Sequence, residues 1–489
     1  MKKTPSFILT LRLETDIWQD DTLQKRFNIG EHIYNVMVKE ARRRLHKLYR
    51  DKTYKLIMKD YRKTKKLSIL QKKELTGLRL RYGLSEYDFM FYLDAGQNRF
   101  AQNIDSSTRQ KIATAVWQAA ESCLFKKGKK IHYKRKNQLF SLEGKSNASG
   151  IRYRQGHILW LKLDIPVRIR KRDSYAKTVL KEHRIKYCRI LRKWHKHRYR
   201  YYVQLVMEGI PPQKHTYKKD TSVGMDIGTS TIAAVSLDTV LFQELADDVD
   251  TIDKQIARLQ RKLDRQRRAN NPQNYYSDGT IRRNTKTFHR TWEVSHHQKQ
   301  TNDAIRSLYQ KRAEHLKYSH NCLANQILAM GTNIYVEKMQ FNGLVKRAKE
   351  TKVSEKTGRY QKKKRFGKSI QNHAPSILLT ILEQKLQYQN KTLQKVNTYE
   401  TKASQFNHIT GEYEPCSLSQ RWKTPTSGIQ VQRDLYSAFL LMNCCSTTEI
   451  DVQQCLNAFD NFKEQHDQCI ATLRSQKKAG KKYPACMGI

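Results

Sequence analysis

After the proline pair Pro211-Pro212 the chain carries the run 222–237, SVGMDIGTSTIAAVSL, small and β-branched apolar residues with one aspartate, Asp226, set between Met225 and Ile227. Such a run reads as a hairpin that opens a new domain and must be buried. A carboxylate in an apolar strand is disfavoured by desolvation unless it is paired or holds a metal. The same conflict recurs twice downstream. Glu337 ends the apolar run Ile334-Tyr335-Val336 within TNIYVEKMQ, and Asp434 occupies the first turn of the helix DLYSAFLLMN. Each acid alone is more simply read as a satisfied or edge-strand carboxylate; three in this arrangement call for a common cause.

The rest of the chain supplies a scaffold in distinct textures. SFILTLRLE at 6–14 has the period-2 alternation of a strand, and the chain then turns helical, with Ile33, Met37, Ala41, Leu45 and Leu48 on one stripe and arginine and lysine opposite. A second helix follows Ser106-Ser107, with Ile112, Val116, Ala119 and Cys123 on its apolar face, so 15–130 reads as a basic helical insertion. Between 131 and 212 the pattern is β: GHILWLKL, then IKYCRILRKW and YRYYVQLVME joined by a short basic turn. The strand from Arg198 interleaves Tyr199, Tyr201 and Tyr202 with Arg198 and Arg200, opposite Trp194. Cations that grip phosphate beside aromatic faces that accept bases suit nucleic acid. β-Propensity alone also enriches aromatics in strands, so an ordinary half-buried strand weighs equally for any single tyrosine. Beyond the hairpin, Val249, Ile252, Ile256, Leu259 and Leu263, then Ile305, Leu308, Leu316, Leu323 and Ile327, predict an antiparallel helical pair. A lysine-rich stretch at 346–368 reads as a loop or lid; helix 377–389, strand 393–397 and a helix from near Val431 follow.

Charge narrows the function. Lys and Arg number 94 against 45 acidic residues, a net charge of +49 spread along most of the chain, and the natural counterpart is a polyanion. No window approaches the ~18 apolar residues of a spanning helix, which excludes membrane insertion, and MKKTPSFILTLRLETD alternates like a strand rather than a signal core. Nine cysteines without a C-x-x-C pair read as reduced thiols of a cytoplasmic protein.

Strand Asp226, distant strand Glu337 and late helix Asp434 follow the order expected of an RNase H-like nuclease. In that chemistry two divalent ions about 4 Å apart activate water and stabilise the leaving oxygen, so hard oxygen ligands are required and Mg²⁺, or Mn²⁺, is the expected metal. Gly228 allows a tight turn and close approach of a phosphate, which Thr229 and Ser230 are placed to contact. The segments GMDIGTSTIAAVS, IYVEKMQFNGL and QRDLYSAFLLMN resemble the three RuvC motifs of transposon-encoded TnpB nucleases and compact type V CRISPR effectors. The helical pair between the first two motifs, the F-x-K-S-I segment Phe366–Ile370 and the strand, helix, barrel order at the N-terminus are also similar.

The resemblance implies an α/β multidomain protein of two lobes. A wedge β-barrel (1–14 and 131–212) would carry the helical recognition lobe 15–130, and a split RuvC domain (213–400 and 429–489) would flank a target-binding segment at 401–428. The implied activity is RNA-guided, metal-dependent cleavage of double-stranded DNA beside a short protein-read motif. Its partners would be a guide RNA (CRISPR RNA or transposon-derived omega RNA) and the target duplex, with monomer and homodimer both open. The family commonly places a four-cysteine zinc ribbon at the 401–428 position; here only His408 and Cys416 could be ligands, too few for a tetrahedral site, so no structural zinc is expected. Arg421, in LSQRW, matches an arginine near that ribbon, which implies contact with the scissile phosphate; a surface arginine is the plainer alternative. The rival readings are an RNase H-like transposase and a catalytically idle RNA-guided DNA-binding protein.

Overall fold

The computed structural model describes residues 4–96, 98–125, 128–212, 220–285, 287–351, 353, 354, 358, 360, 366–417 and 419–489. The fold is mixed α/β, and the chain divides into two compact units, 1–212 and 213–489.

In the first unit, β1 (Ser6–Leu13) buries Phe7, Leu9, Leu11 and Leu13 on one face, as its alternation requires. A capping box then starts a long helix, α1 (Ile17–Arg50): the Asp16 carboxylate accepts from the Gln19 N–H at 2.7 Å, and the Gln19 side chain accepts from the Asp16 N–H. Helices α2 (Lys52–Thr64), α3 (Ile69–Arg81), α4 (Glu86–Gly96) and α5 (Ser106–Phe125) complete the insertion. The chain returns through β2 (Ser141–Glu143), β3 (Arg152–Arg154), β4 (His157–Trp160), β5 (Leu163–Arg168), α6 (Ser174–Glu182), β6 (Ile185–His195) and β7 (Arg198–Glu208). The strands form one sheet in the order β2-β6-β7-β1-β5-β4-β3, antiparallel throughout. Its ends curl together: Gly144 and Asn147 donate their N–H groups to the carbonyls of Cys188 and Lys186 on β6, while the Asn147 side chain accepts from the Tyr153 N–H on β3.

The second unit opens with an antiparallel meander, β8 (Ser222–Ile227), β9 (Thr231–Ser236) and β10 (Thr239–Glu244). Next come α7 (Val249–Asn270) and α8 (His296–Met330), then β11 (Asn333–Glu337), α9 (Phe341–Leu344), α10 (Gly367–His373), α11 (Pro375–Gln387) and β12 (Gln394–Val396). The short hairpin β13 (Trp422–Thr426) and β14 (Ile429–Gln432) leads into α12 (Arg433–Met442) and α13 (Val452–Lys478). The five-stranded sheet runs β10-β9-β8-β11-β12, with β11 parallel to both β8 and β12. The helical pair is antiparallel: Asn270 donates to Ser295 Oγ, Gln260 to Tyr309 Oη at 2.9 Å, and Arg312 lies 3.6 Å from Asp253.

Both faces of this sheet are covered. Val223, Met225, Ile227, Ile232, Ala234, Ile334 and Val336 share a core with Leu323 and Ile327 of α8 and Leu378 and Leu382 of α11. On the other face Ala233, Val235, Phe242 and Val396 share a core with α12 and with Phe459, Phe462 and Ile470 of α13. Strand residues must alternate between these cores, so Gly224, Asp226, Tyr335 and Glu337 belong to the face that α12 covers. No described helix is long and apolar enough to cross a membrane.

Candidate active site

Parallel pairing sets the first two acids side by side. Val336 is in register with Met225, and Glu337 and Asp226 each stand one residue further along their strands. Neighbouring strands lie about 4.8 Å apart, and both side chains project toward α12. That helix sits directly on β8: a Cβ added at Gly224 would fall 1.9 Å from the Ala438 carbonyl oxygen and 2.2 Å from the Met442 nitrogen. Asp434 lies one turn back from Ala438, about 6 Å along the helix axis, and Asp226 is two residues, about 7 Å, beyond Gly224 on the strand. The three carboxylates therefore converge at one end of the sheet.

Their electrostatics record the crowding. The Asp226 carboxyl is pushed well above the usual carboxylate range, first by burial and then by Asp434 and Glu337, with Arg433 opposing. Burial also raises Glu337. Asp226 and Glu337 nevertheless keep partial solvent access, so an ion or a phosphate can reach them. The donor set is all carboxylate oxygen, which suits a hard divalent cation.

Arg433 gave no signal in the sequence beyond its place in QRD. Its Nε and Nη2 donate to Asp434 Oδ1 at 3.2 and 3.1 Å, and its Nη1 donates to the carbonyls of Ser417 and Gln420. Burial would lower its pKa, but Asp434 and Asp226 outweigh that and hold it above the ordinary value. Gln432 is the second residue that the pattern did not reveal. Its side chain caps α12 by accepting from the Leu435 N–H at 2.9 Å, and its own N–H donates to Nε2 of buried His466, which fixes the turn that presents Asp434.

The remaining candidates divide. Gly228, Thr229, Ser230 and Thr231 make the tight β8–β9 turn beside Asp226, closed by the Gly228 N–H to the Thr231 carbonyl; Thr229 accepts from Ser369 Oγ of the F-x-K-S-I segment at 3.2 Å. Arg421 is held near the site through its backbone, its carbonyl accepting from the Arg433 N–H at 2.9 Å. In the β6–β7 hairpin, Tyr201 is corrected: it is 2% exposed, packs on Phe27 and donates to the Asp20 carbonyl, so it offers no face to a base. Tyr199 shares its side of the strand, against Trp194 and under the Arg192 guanidinium. Tyr202 and Arg200 alternate away from that side, Lys193 stands 5.0 Å from the Tyr202 ring, and Arg198 is exposed. His408 is buried among Tyr436, Phe439 and Phe459, its Nδ1 is 2.7 Å from Tyr436 Oη, and burial pushes its pKa down to about 4. Cys416 donates to the Ser417 carbonyl. Much of the basic loop 346–368 lies outside the described residues.

No family model and no curated protein matches the chain. Among solved structures it is similar to a Cas12f1 chain determined by cryo-EM with sgRNA and target DNA, at TM-score 0.44 and 10% identity over 90% of this chain and 99% of that one. It is also similar to a chain of a CRISPR-Cas12f ternary complex, at TM-score 0.26 and 12% identity over 89% of this chain and 87% of that one.

Proposed function

We propose that this protein is an RNA-guided DNA endonuclease of the RuvC type, and that Asp226, Glu337 and Asp434 are its catalytic residues. The observation that carries the reading is the convergence of three carboxylates from two parallel strands and a helix, with the Arg433 guanidinium paired to Asp434. Three crowded carboxylates at neutral pH are a poor way to stabilise a fold and a good way to hold divalent cations. The sheet supports the same reading: a three-stranded meander followed by two strands parallel to the first, with the acids on the first strand, the fourth strand and a late helix, is the RNase H-like arrangement.

Asp226, Glu337 and Asp434 would hold Mg²⁺ or Mn²⁺. So bound, the ions would supply an activated water and a stabilised leaving oxygen. The protein's own contribution is placement. β8 and β11 hold two carboxylates rigidly, and α12 brings the third through its contact at Gly224. Thr229, Ser230 and Arg421 border the site and would receive the phosphate. Arg433 neutralises Asp434 in the metal-free protein, and releasing it frees that carboxylate for an ion. The net charge of +49 supports a guide RNA and a target duplex as partners.

The test is cleavage of a duplex DNA by protein expressed with its native flanking locus. Mg²⁺-dependent cutting that EDTA abolishes and Asp226→Ala removes is the expected result. Cutting by Asp226→Ala at near the wild-type rate, or full activity in EDTA, would overturn the assignment.

A further inference from the structure

We propose that Glu244, Asp250 and His373 form a second metal site, separate from the three acids above, that takes a divalent transition-metal ion such as Mn²⁺. Glu244 is the last residue of β10, Asp250 stands in the first turn of α7, and His373 ends α10. One ligand atom from each lies within 4.8 Å of the others. Asp250 alone would need no metal, since an acid in a first turn is favoured by the helix dipole. His373 is the independent observation.

This histidine is 4% exposed, and its Nδ1 lies 2.6 Å from the Leu245 carbonyl oxygen, a contact that requires the proton on Nδ1. In the neutral ring Nε2 is then a bare lone pair. It lies 3.9 Å from Glu244 Oε1, too far for a hydrogen bond, with the Asp250 carboxylate also close by and Lys481 offsetting part of the negative charge at Glu244. A lone pair from buried His373 and carboxylates from half-buried Glu244 and exposed Asp250, brought this close, repel one another unless a cation lies between them. Metal-bound histidines characteristically donate their other ring N–H to a backbone carbonyl, as His373 does. The neighbouring group Asp247, Asp248 and His315, whose Nε2 is buried without a hydrogen-bond partner, extends the same anionic field.

Two carboxylates and one imidazole select a borderline ion; Mg²⁺ seldom takes imidazole, whereas Mn²⁺ and Zn²⁺ accept both donor types. Ligand bonds near 2.0–2.2 Å set neighbouring donors about 3 Å apart, so the His373 to Glu244 separation would close by somewhat under 1 Å. The ion would fasten α7 and α10 to the edge strand. Helix α10 also carries Ser369, bonded to Thr229 in the turn beside Asp226, and Lys368, 2.8 Å from Asp253. A metal here would buttress that turn without touching the reaction.

The test counts Mn²⁺ on the full chain by electron paramagnetic resonance, after chelation, in an Asp226→Ala, Asp434→Ala background that removes the first site. One Mn²⁺ per chain, displaced by Zn²⁺, is the expected result. Asp250→Asn, at an exposed position, and His373→Gln should each weaken it on the order of tenfold or more while the far-ultraviolet circular dichroism stays unchanged. If His373→Gln does not fold, Asp250→Asn decides alone. No bound Mn²⁺ at millimolar concentration in that background would overturn the site. So would affinity indifferent to Asp250→Asn. Neither result bears on cleavage by Asp226, Glu337 and Asp434.

Discussion

At Asp226 the cost of the site is concentrated in one carboxyl, which burial, Asp434 and Glu337 hold well above its unfolded value. The native state therefore binds a proton that the unfolded chain releases. Metal-free stability falls as pH rises from the unfolded pKa, about 4, through the folded one, and the penalty is complete above it. Asp226→Asn removes the penalty: the metal-free variant should melt higher than wild type at pH 8, by roughly 2–4 °C for each kcal/mol relieved, with the gain shrinking toward pH 4. Calorimetry at the two pH values checks this, and an equal or lower midpoint at pH 8 would mean that the carboxylate is not under the strain inferred. If the three acids hold metal as proposed, cleavage should move oppositely, falling as acid protonates them. Alanine at Asp226, Glu337 or Asp434 should each cost several orders of magnitude in rate, and pairs should cost little more than singles, because under the proposed reading three ligands to shared ions would act as a unit. Outside this site, Cys416 donates to the carbonyl of Ser417 beside it and His408 is sealed among aromatic rings. Cys416→Ser should leave the zinc content of the purified protein unchanged; a loss of one equivalent would reveal a site that ligand spacing does not show.

Elements place these residues, and Gly224 is where the placement is tightest, since any Cβ would enter the backbone of α12. Gly224→Ala must drive the helix off β8 and carry Asp434 with it. It should cost well over 3 kcal/mol, with cleavage lost even in the fraction that folds. Gly77→Ala, in α3 with open space around it, is the contrast and should stabilise by about 0.5–1 kcal/mol. Paired melts decide; similar midpoints for the two variants would refute the packing argument. The two acid-bearing strands were legible in the sequence because an acid in an apolar run is a conflict visible without coordinates, and the β8–β9 hairpin, the α7–α8 pair and β12 followed from periodicity. What escaped depends on tertiary partners. Strand β10 follows β9 across only Leu237-Asp238, without a strong turn signal, and α1 begins well before the apolar stripe that marks it. Alternation gives two faces to β7 but does not say which is the core, and Tyr201 lies on the buried one. Arg433, the Gln432 cap and the meeting of Glu244 with His373 arise only once distant segments are assembled.

Across the whole molecule basic residues recur on unlike elements: the 33–50 stretch of α1, the β6–β7 hairpin at 185–207 and α7 at 254–268, with a further lysine-rich sequence at 346–368. On α7, Arg258, Lys262 and Arg265 line a groove with Leu259 and Leu308. Non-specific binding of one duplex would be satisfied by a single patch, whereas a structured RNA together with an RNA–DNA heteroduplex needs several grooves at once. A protein that grips a heteroduplex by its A-form backbone needs charge rather than base readout, which is what these faces provide. Protein expressed with its native flanking locus should therefore copurify with one defined RNA that resists a high-salt wash. Cutting should depend on complementarity to that RNA, and mismatches next to the protein-read motif should hurt most, because pairing nucleates there. Sequencing the bound RNA and assaying a tiled mismatch series measures both. Recovery of only random cellular RNA, with cleavage or joining of DNA ends that survives RNase treatment, would instead identify a transposase working through the same three carboxylates.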